Sequence, residues 1–336
     1  MIDIVGYDIL ENEGLRYAWS GSRFKNYIES AAFANRSKGK KEDICGYTTS
    51  VSLGCLLRSQ GMQCAFCRTG NLLPFGGLLT YKEIAKQNVF MVLSDIYCTD
   101  HPELATKKRE FAYMGQGEPG FSYSQLRLAI ELTNRIMKEL NQEVYRHIFA
   151  TCGVTEAVYQ YIEDIKSFYS ERVTLHYSLH ATEGRDLIMP INKVYPYTDV
   201  LQLMNGVADI NSDKPCVGIL LFNNFSPKGR SFNYSNTFES INSLMKQLNP
   251  EKCRLSFCEF NESADLGNAD KFSIEEANRI LMNAHEKGFE AKLFSSFGRE
   301  KQTACGMLGG KKPEHPLSEK WKKLNTYANE LIDMFS

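Results

Sequence analysis

Cys55, Cys64 and Cys67 stand in one glycine-flanked stretch, Gly54 to Gly70, with the last two spaced C-x-x-C around Phe66. Cysteines so grouped can hold metal. A cubane iron-sulfur cluster has four irons, so three thiolates leave one iron open to an outside ligand, and chemistry would happen there. Taken alone, the stretch also admits a structural zinc, a redox dithiol or three buried apolar cysteines. Structural zinc asks for four ligands from closely paired motifs, and the chain has no second C-x-x-C and no H-x-x-H pair.

Other stretches carry chemistry of their own. Tyr113 to Pro119 reads Tyr-Met-Gly-Gln-Gly-Glu-Pro. Its glycines, Gly115 and Gly117, let a ligand approach the backbone, and Glu118 can accept a hydrogen bond from an ammonium group. An ordinary strand-to-helix turn reads from it as well. Ser178 and His180 alternate at a strand end, so both point the same way. Cys305, in Gln-Thr-Ala-Cys-Gly-Met-Leu-Gly-Gly (302–310), sits among small residues in a glycine-rich loop that would keep its thiol accessible.

These motifs together resemble the radical S-adenosylmethionine (SAM) superfamily and, within it, the RlmN/Cfr-like adenosine C-methyltransferases, over roughly Glu13 to Gly310. The resemblance implies a 4Fe-4S cluster on Cys55, Cys64 and Cys67. It implies SAM bound through its amino group by Gly117 and Glu118, which match G-x-G-E-P. Ala150-Thr151-Cys152-Gly153-Val154 is similar to the family's S-T-S-G-V with alanine at the leading serine, so Thr151 or Cys152 would take over that contact. Ser178, Leu179 and His180 match S-L-H-A, with Arg185-Asp186 and Pro190-Ile191-Asn192-Lys193 following as in the family, and would contact the ribose or carboxylate of SAM. Asn261 would meet its adenine.

By the same resemblance Cys305 would be methylated by one SAM. A radical from a second SAM would then take hydrogen from that methyl, and the carbon would add to an sp2 carbon of an adenine-type base. Cys45 would resolve the adduct through a Cys45–Cys305 disulfide, with Glu29 as proton acceptor. The partners implied are an adenine-containing substrate, RNA in the family, and an electron donor such as flavodoxin or ferredoxin. Two features depart from the pattern. The first cysteine gap is eight residues instead of three, and the family's N-terminal RNA-binding helical domain has no counterpart in this sequence.

Elements must position these residues. Residues 13 to 33 read as a hairpin about a Gly-Ser turn, followed by a lysine-rich link from Asn35 to Asp43. Strand candidates then recur at 46–53, 110–114, 146–151, 173–180, 216–222, 254–260 and 290–295, with helical runs between them. Thr80-x-x-Glu83 and Ser273-x-x-Glu276 are capping boxes, and Leu126, Ala129, Ile130, Ile136, Met137 and Leu140 share one helical face. Asp95 to Lys108 reads as an irregular loop over the site. Such β/α units predict an α/β fold with a parallel sheet, doubly wound or rolled up. The family resemblance selects a partial (β/α)6 barrel. The expected parts are an N-terminal extension (1–43), the barrel (44–310) and a C-terminal helical tail (311–336).

The chain's 336 residues, 43% apolar and 24% charged, are enough for a sizeable core. With 39 basic and 40 acidic residues the net charge is -1, so no overall field draws in a polyanion. Between Arg299 and Lys323, however, seven basic residues face three acidic ones. No signal-peptide pattern and no run approaching about 18 apolar residues is present, so a cytoplasmic protein without membrane attachment is expected. Cys98, Cys216, Cys253 and Cys258 read as buried thiols.

Overall fold

The computed structural model describes residues 1–10, 14–33, 43–98, 102–210, 213–294 and 306–336. Eleven strands form one sheet. They are β1 (Asp3–Ile9), β2 (Leu15–Ser20), β3 (Ile28–Phe33), β4 (Ile44–Thr48), β5 (Lys108–Tyr113), β6 (Val144–Thr151), β7 (Val173–Ser178), β8 (Cys216–Leu221), β9 (Arg254–Glu259), β10 (Ala291–Phe294) and β11 (His315–Pro316). Their order across the sheet is β10-β9-β8-β7-β6-β5-β4-β3-β2-β1-β11. From β4 to β10 every neighbour is parallel. From β4 back through β3, β2 and β1 to β11 every pairing is antiparallel.

The helices are α1 (Leu56–Ser59), α2 (Arg68–Leu72), α3 (Tyr81–Tyr97), α4 (Tyr123–Glu139), α5 (Thr155–Ser167), α6 (Arg185–Ile188), α7 (Tyr197–Ile210), α8 (Phe238–Met245), α9 (Ile274–Glu286) and α10 (Glu319–Phe335). The two faces of the parallel sheet differ as strand alternation requires. Tyr47, Phe111, Tyr113, Phe149, Leu175, Tyr177, Val217, Ile219 and Phe257 are fully buried under the helices. Tyr47 donates to Asp95 of α3 at 2.6 Å, and Asn88 of α3 donates to the Tyr113 hydroxyl at 3.1 Å. The opposite face carries His176, Ser178, Leu220 and Cys258, all only half-buried, and is the concave side of a partial barrel.

All seven expected parallel strands form, although β4 stops at Thr48 and the chain then turns through Ser50–Leu53. The hairpin is present as β2 and β3, and β1, which the sequence reading missed, adds a third antiparallel strand on its far side. The Asn35–Asp43 link lies outside the described residues except for Asp43. Thr80 and Glu83 form the capping box, and the apolar face of α4 is buried as its spacing requires. The described part of the stretch from Asp95 to Lys108 is not a loop over the site. It finishes α3, and a short 3-10 turn at Pro102–Thr106 leads into the first residue of β5, the opposite end of the strand from the site. Cys216 and Cys253 are buried, whereas Cys98 and Cys258 are half-buried.

Candidate active site

The cluster loop leaves Ser52–Leu53 through Gly54, whose φ of +67° and contact with the Pro74 carbonyl, 2.5 Å from where a Cβ would sit, both exclude a side chain. Cys55 precedes α1 and Cys67 precedes α2, each in extended backbone at the helix N-cap, where unpaired amides favour a thiolate. Asn71 of α2 donates to the carbonyls of Cys64 (2.8 Å) and Cys67 (2.7 Å), and Arg58 holds the Asn71 carbonyl. The Ala65 amide donates to the Ile188 carbonyl at 2.8 Å, anchoring the loop across the strand ends. Phe66 points inward, its ring edge-on to His180 at 5.1 Å and tilted against Phe222 at 5.4 Å.

Burial, and then the neighbouring Cys67 and Cys64 thiols, push the Cys55 thiol well up. Burial and Cys64 push Cys67 up to about 11. Cys55 and Cys67, whose ionisation burial and neighbouring thiols hinder, are suited to a cationic centre that would displace their protons. Among the described residues no three His, Cys, Asp or Glu side chains converge on a single ion. A cubane asks for something else, one thiolate at each of three separate irons.

Glu118 lies just past β5 and is buried. It accepts from the Thr151 hydroxyl (2.5 Å), the Cys152 amide (2.8 Å) and the Gly120 amide (2.8 Å). Burial raises its pKa above the ordinary carboxylate value, against the lowering effect of these donors. Gly117, at φ +102°, lets the loop nest on the turn before the cysteines, since a Cβ there would sit 2.2 Å from the Ser52 hydroxyl. Cys152 is pushed well up by hydrogen bonding to the Cys64 thiol and by burial, so the end of β6 meets the cluster loop directly.

Ser178 ends β7, Leu179 is buried, and His180 takes an unusual φ of +61°. Arg185 explains the shape of this turn. Its guanidinium donates to the carbonyls of Cys152 (3.0 Å), Ser178 (3.2 Å) and Leu179 (3.0 Å), and to Asn192 (3.0 Å). The Leu220 amide donates to His180 Nδ1 at 3.2 Å, and burial lowers the His180 pKa to about 3. The ring is therefore neutral with its proton on Nε2, a fixed donor. Asn261 follows β9 and is buried. Two residues on, the buried Ser263 hydroxyl has no hydrogen-bond partner among the described residues, as beside a ligand. The three-thiol loop and this row of strand-end polar groups thus fit a cluster and SAM.

Glu29 lies on β3, paired with Arg16 and accepting from Gln116 (3.0 Å) and the Gly310 amide (2.6 Å). Cys305 lies outside the described residues, but the residues after it return to the cluster loop. The Arg68 amide donates to the Gly306 carbonyl at 2.7 Å, and Thr69 donates to the Leu308 carbonyl at 2.7 Å. Cys45 is not brought to the site. It pairs in register with Arg109, next to Gly46 and Tyr47, and so faces the helices, whereas Glu29 alternates with Ala31, the partner of Thr48, onto the other face. The sequence reading also missed Arg16 and Gln116. Gln116 stood inside a motif named for its neighbours, and Arg16 broke an otherwise apolar strand.

No family model matches the chain. A solved radical SAM methyltransferase from Sphaerobacter thermophilus superposes with a TM-score of 0.72 over 92% of this chain and 82% of that one, at 19% identity. The partial barrel with its cysteine loop at the strand ends has the fold of that enzyme. Among curated relatives, a probable dual-specificity RNA methyltransferase RlmN from Pseudothermotoga lettingae is 26% identical over 273 residues, 78% of this chain and 69% of the relative. One from Dictyoglomus turgidum is 26% identical over 84% of this chain and 72% of its own length. By sequence the chain is thus similar to RlmN methyltransferases, and by fold to a radical SAM methyltransferase. No helix among the described residues is long and apolar enough to cross a membrane.

Proposed function

We propose that this enzyme methylates an sp2 carbon of an adenine-type base, with RNA as the substrate class to which its relatives' names point, and that Cys305 carries the one-carbon unit. One observation carries the reading: the segment after Cys305 is fastened to the cluster loop, with Gly306 bonded to the residue following Cys67. When bound, the cluster and SAM supply a carbon-centred radical. Cys55, Cys64 and Cys67 hold the cluster, Glu118 accepts the SAM ammonium, Thr151 and Cys152 steady Glu118, and Asn261 lies toward the adenine. Ser178, Leu179 and the Nε2–H of His180 line the same strand ends. The Cys305 thiol would accept a methyl from one SAM, giving the S-methylcysteine, S-adenosylhomocysteine as leaving group and a released proton. Release of the later thioether needs a second thiol, and the helix-facing position of Cys45 argues against that residue. Glu29 is engaged by three donors, which favours a holding role over that of a mobile base. An outside one-electron donor, flavodoxin or ferredoxin in type, completes the cycle.

Mass spectrometry of anaerobically purified protein should show about +14 Da, one CH2, on the peptide containing Cys305. Cys305→Ala should still cleave SAM reductively yet give no methylated adenosine in RNA. Full product formation by that variant would sink the carrier role, and activity on free adenosine but not on RNA would sink the substrate class.

A further inference from the structure

Arg16 is fully buried, as is Asp8, and Glu29 is 1% exposed. The guanidinium lies between the two carboxylates, donating to Asp8 at 2.6 Å and forming a short ion pair with Glu29. Its remaining N–H groups donate to the carbonyls of Lys311 (3.0 Å) and Lys312 (3.3 Å). Each carboxylate in turn holds the same C-terminal strap. Glu29 accepts the Gly310 amide, and Asp8 accepts the Glu314 amide at 2.6 Å. Glu29 also accepts from Gln116, whose side-chain oxygen accepts the amide of Gly54 at 3.3 Å, immediately before Cys55. At the strap's other end Gly306 and Leu308 bond to Arg68 and Thr69, immediately after Cys67. A continuous hydrogen-bonded circuit therefore joins the N-terminal strands, both ends of the cluster loop and the strap that begins one residue after Cys305.

We infer that the Asp8–Arg16–Glu29 triad is a latch and Arg16 a positioning residue: it fastens residues 306–316 against the cluster loop, so that radical formation and one-carbon transfer stay coupled. A buried guanidinium shared by two carboxylates and two carbonyls fixes direction as well as distance, which a point-charge ammonium cannot reproduce. The coupling half of the inference rests on the proposed carrier role of Cys305, whereas the fastening half does not.

The test uses cluster-loaded protein with Arg16→Lys, which keeps the charge, and Asp8→Asn, which spares Arg16 itself. Two readouts are taken. Hydrogen exchange should show protection of 306–316 falling at least about tenfold in both variants, with β5 to β7 unchanged. The ratio of 5′-deoxyadenosine formed to methyl transferred should rise by about the same factor. Unchanged protection of the strap, or an equal loss throughout the sheet, overturns the latch. If both rates fall together at a constant ratio, Arg16 is structural and its positioning role is overturned. If wild type transfers no methyl at all, the carrier reading fails while the exchange result still decides the latch.

Discussion

Glu118 is the residue whose chemistry depends most on its surroundings. Removed from water and held by Thr151, Cys152 and Gly120, its carboxylate titrates above the ordinary range because burial disfavours the charged form. An arriving ammonium restores what burial takes away, so SAM should bind the ionised carboxylate. The affinity for SAM should fall as pH drops through that raised titration. Replacing the carboxylate, as in Glu118→Ala, removes a charge-assisted hydrogen bond, about 1.5–3 kcal/mol, or roughly tenfold to a hundredfold in affinity. Calorimetry across a pH series checks both points. The alanine variant should bind weakly and lack the acid limb, and a wild-type-like profile from it would remove Glu118 from the site.

At the scale of elements, α10 shows how a basic tail serves the fold. Trp321, Leu324, Ala328, Leu331 and Ile332 form its buried stripe, and Lys320, Lys322 and Lys323 remain on the solvent side. Trp321 stacks on Tyr7 of β1 at 4.4 Å, almost parallel, and tilts against Tyr17 of β2 and Phe90 of α3. The helix thus clamps the antiparallel strands from the side opposite the latch, since Tyr7 and Tyr17 alternate with Asp8 and Arg16. Trp321→Ala should cost about 3–5 kcal/mol, within the range for a buried tryptophan. Urea unfolding followed by circular dichroism would show it as a lower midpoint. A loss under about 1 kcal/mol would mean that α10 packs loosely.

For the whole molecule, cluster and fold should be linked, because a ligand that binds only the folded state stabilises it. The loop 54–70 has little regular structure of its own beyond two short helices, yet it is bonded to the turns that follow β5 and β6, to α6 and to the C-terminal strap. Protein purified anaerobically should hold about four irons per chain. Chelating them should lower the melting temperature and raise hydrogen exchange in 54–72 and 306–316 together. Cys64→Ala should reproduce the stripped state, and an unchanged melting temperature after complete iron loss would refute the linkage.

Local pattern in the sequence was enough to lay out the seven parallel strands and, with the family resemblance, to single out the cysteine loop, Glu118 and the His180 turn as candidates, because each is written in contiguous residues whose spacing carries the constraint. It could not place Cys45, since which face of a strand is the concave one depends on register with Arg109 and Thr48, and one residue of shift reverses it. Nor could it find Arg16, whose partners are 8, 13 and almost 300 positions away. A lone arginine in an apolar strand signals only that something must pair with it. That Asp8, Glu29 and the carbonyls after Cys305 are the partners was decided when β1, β2 and β3 aligned their inward-facing residues and the C-terminal strap came to lie across them, because burying a guanidinium is tolerable only where charge and acceptors converge.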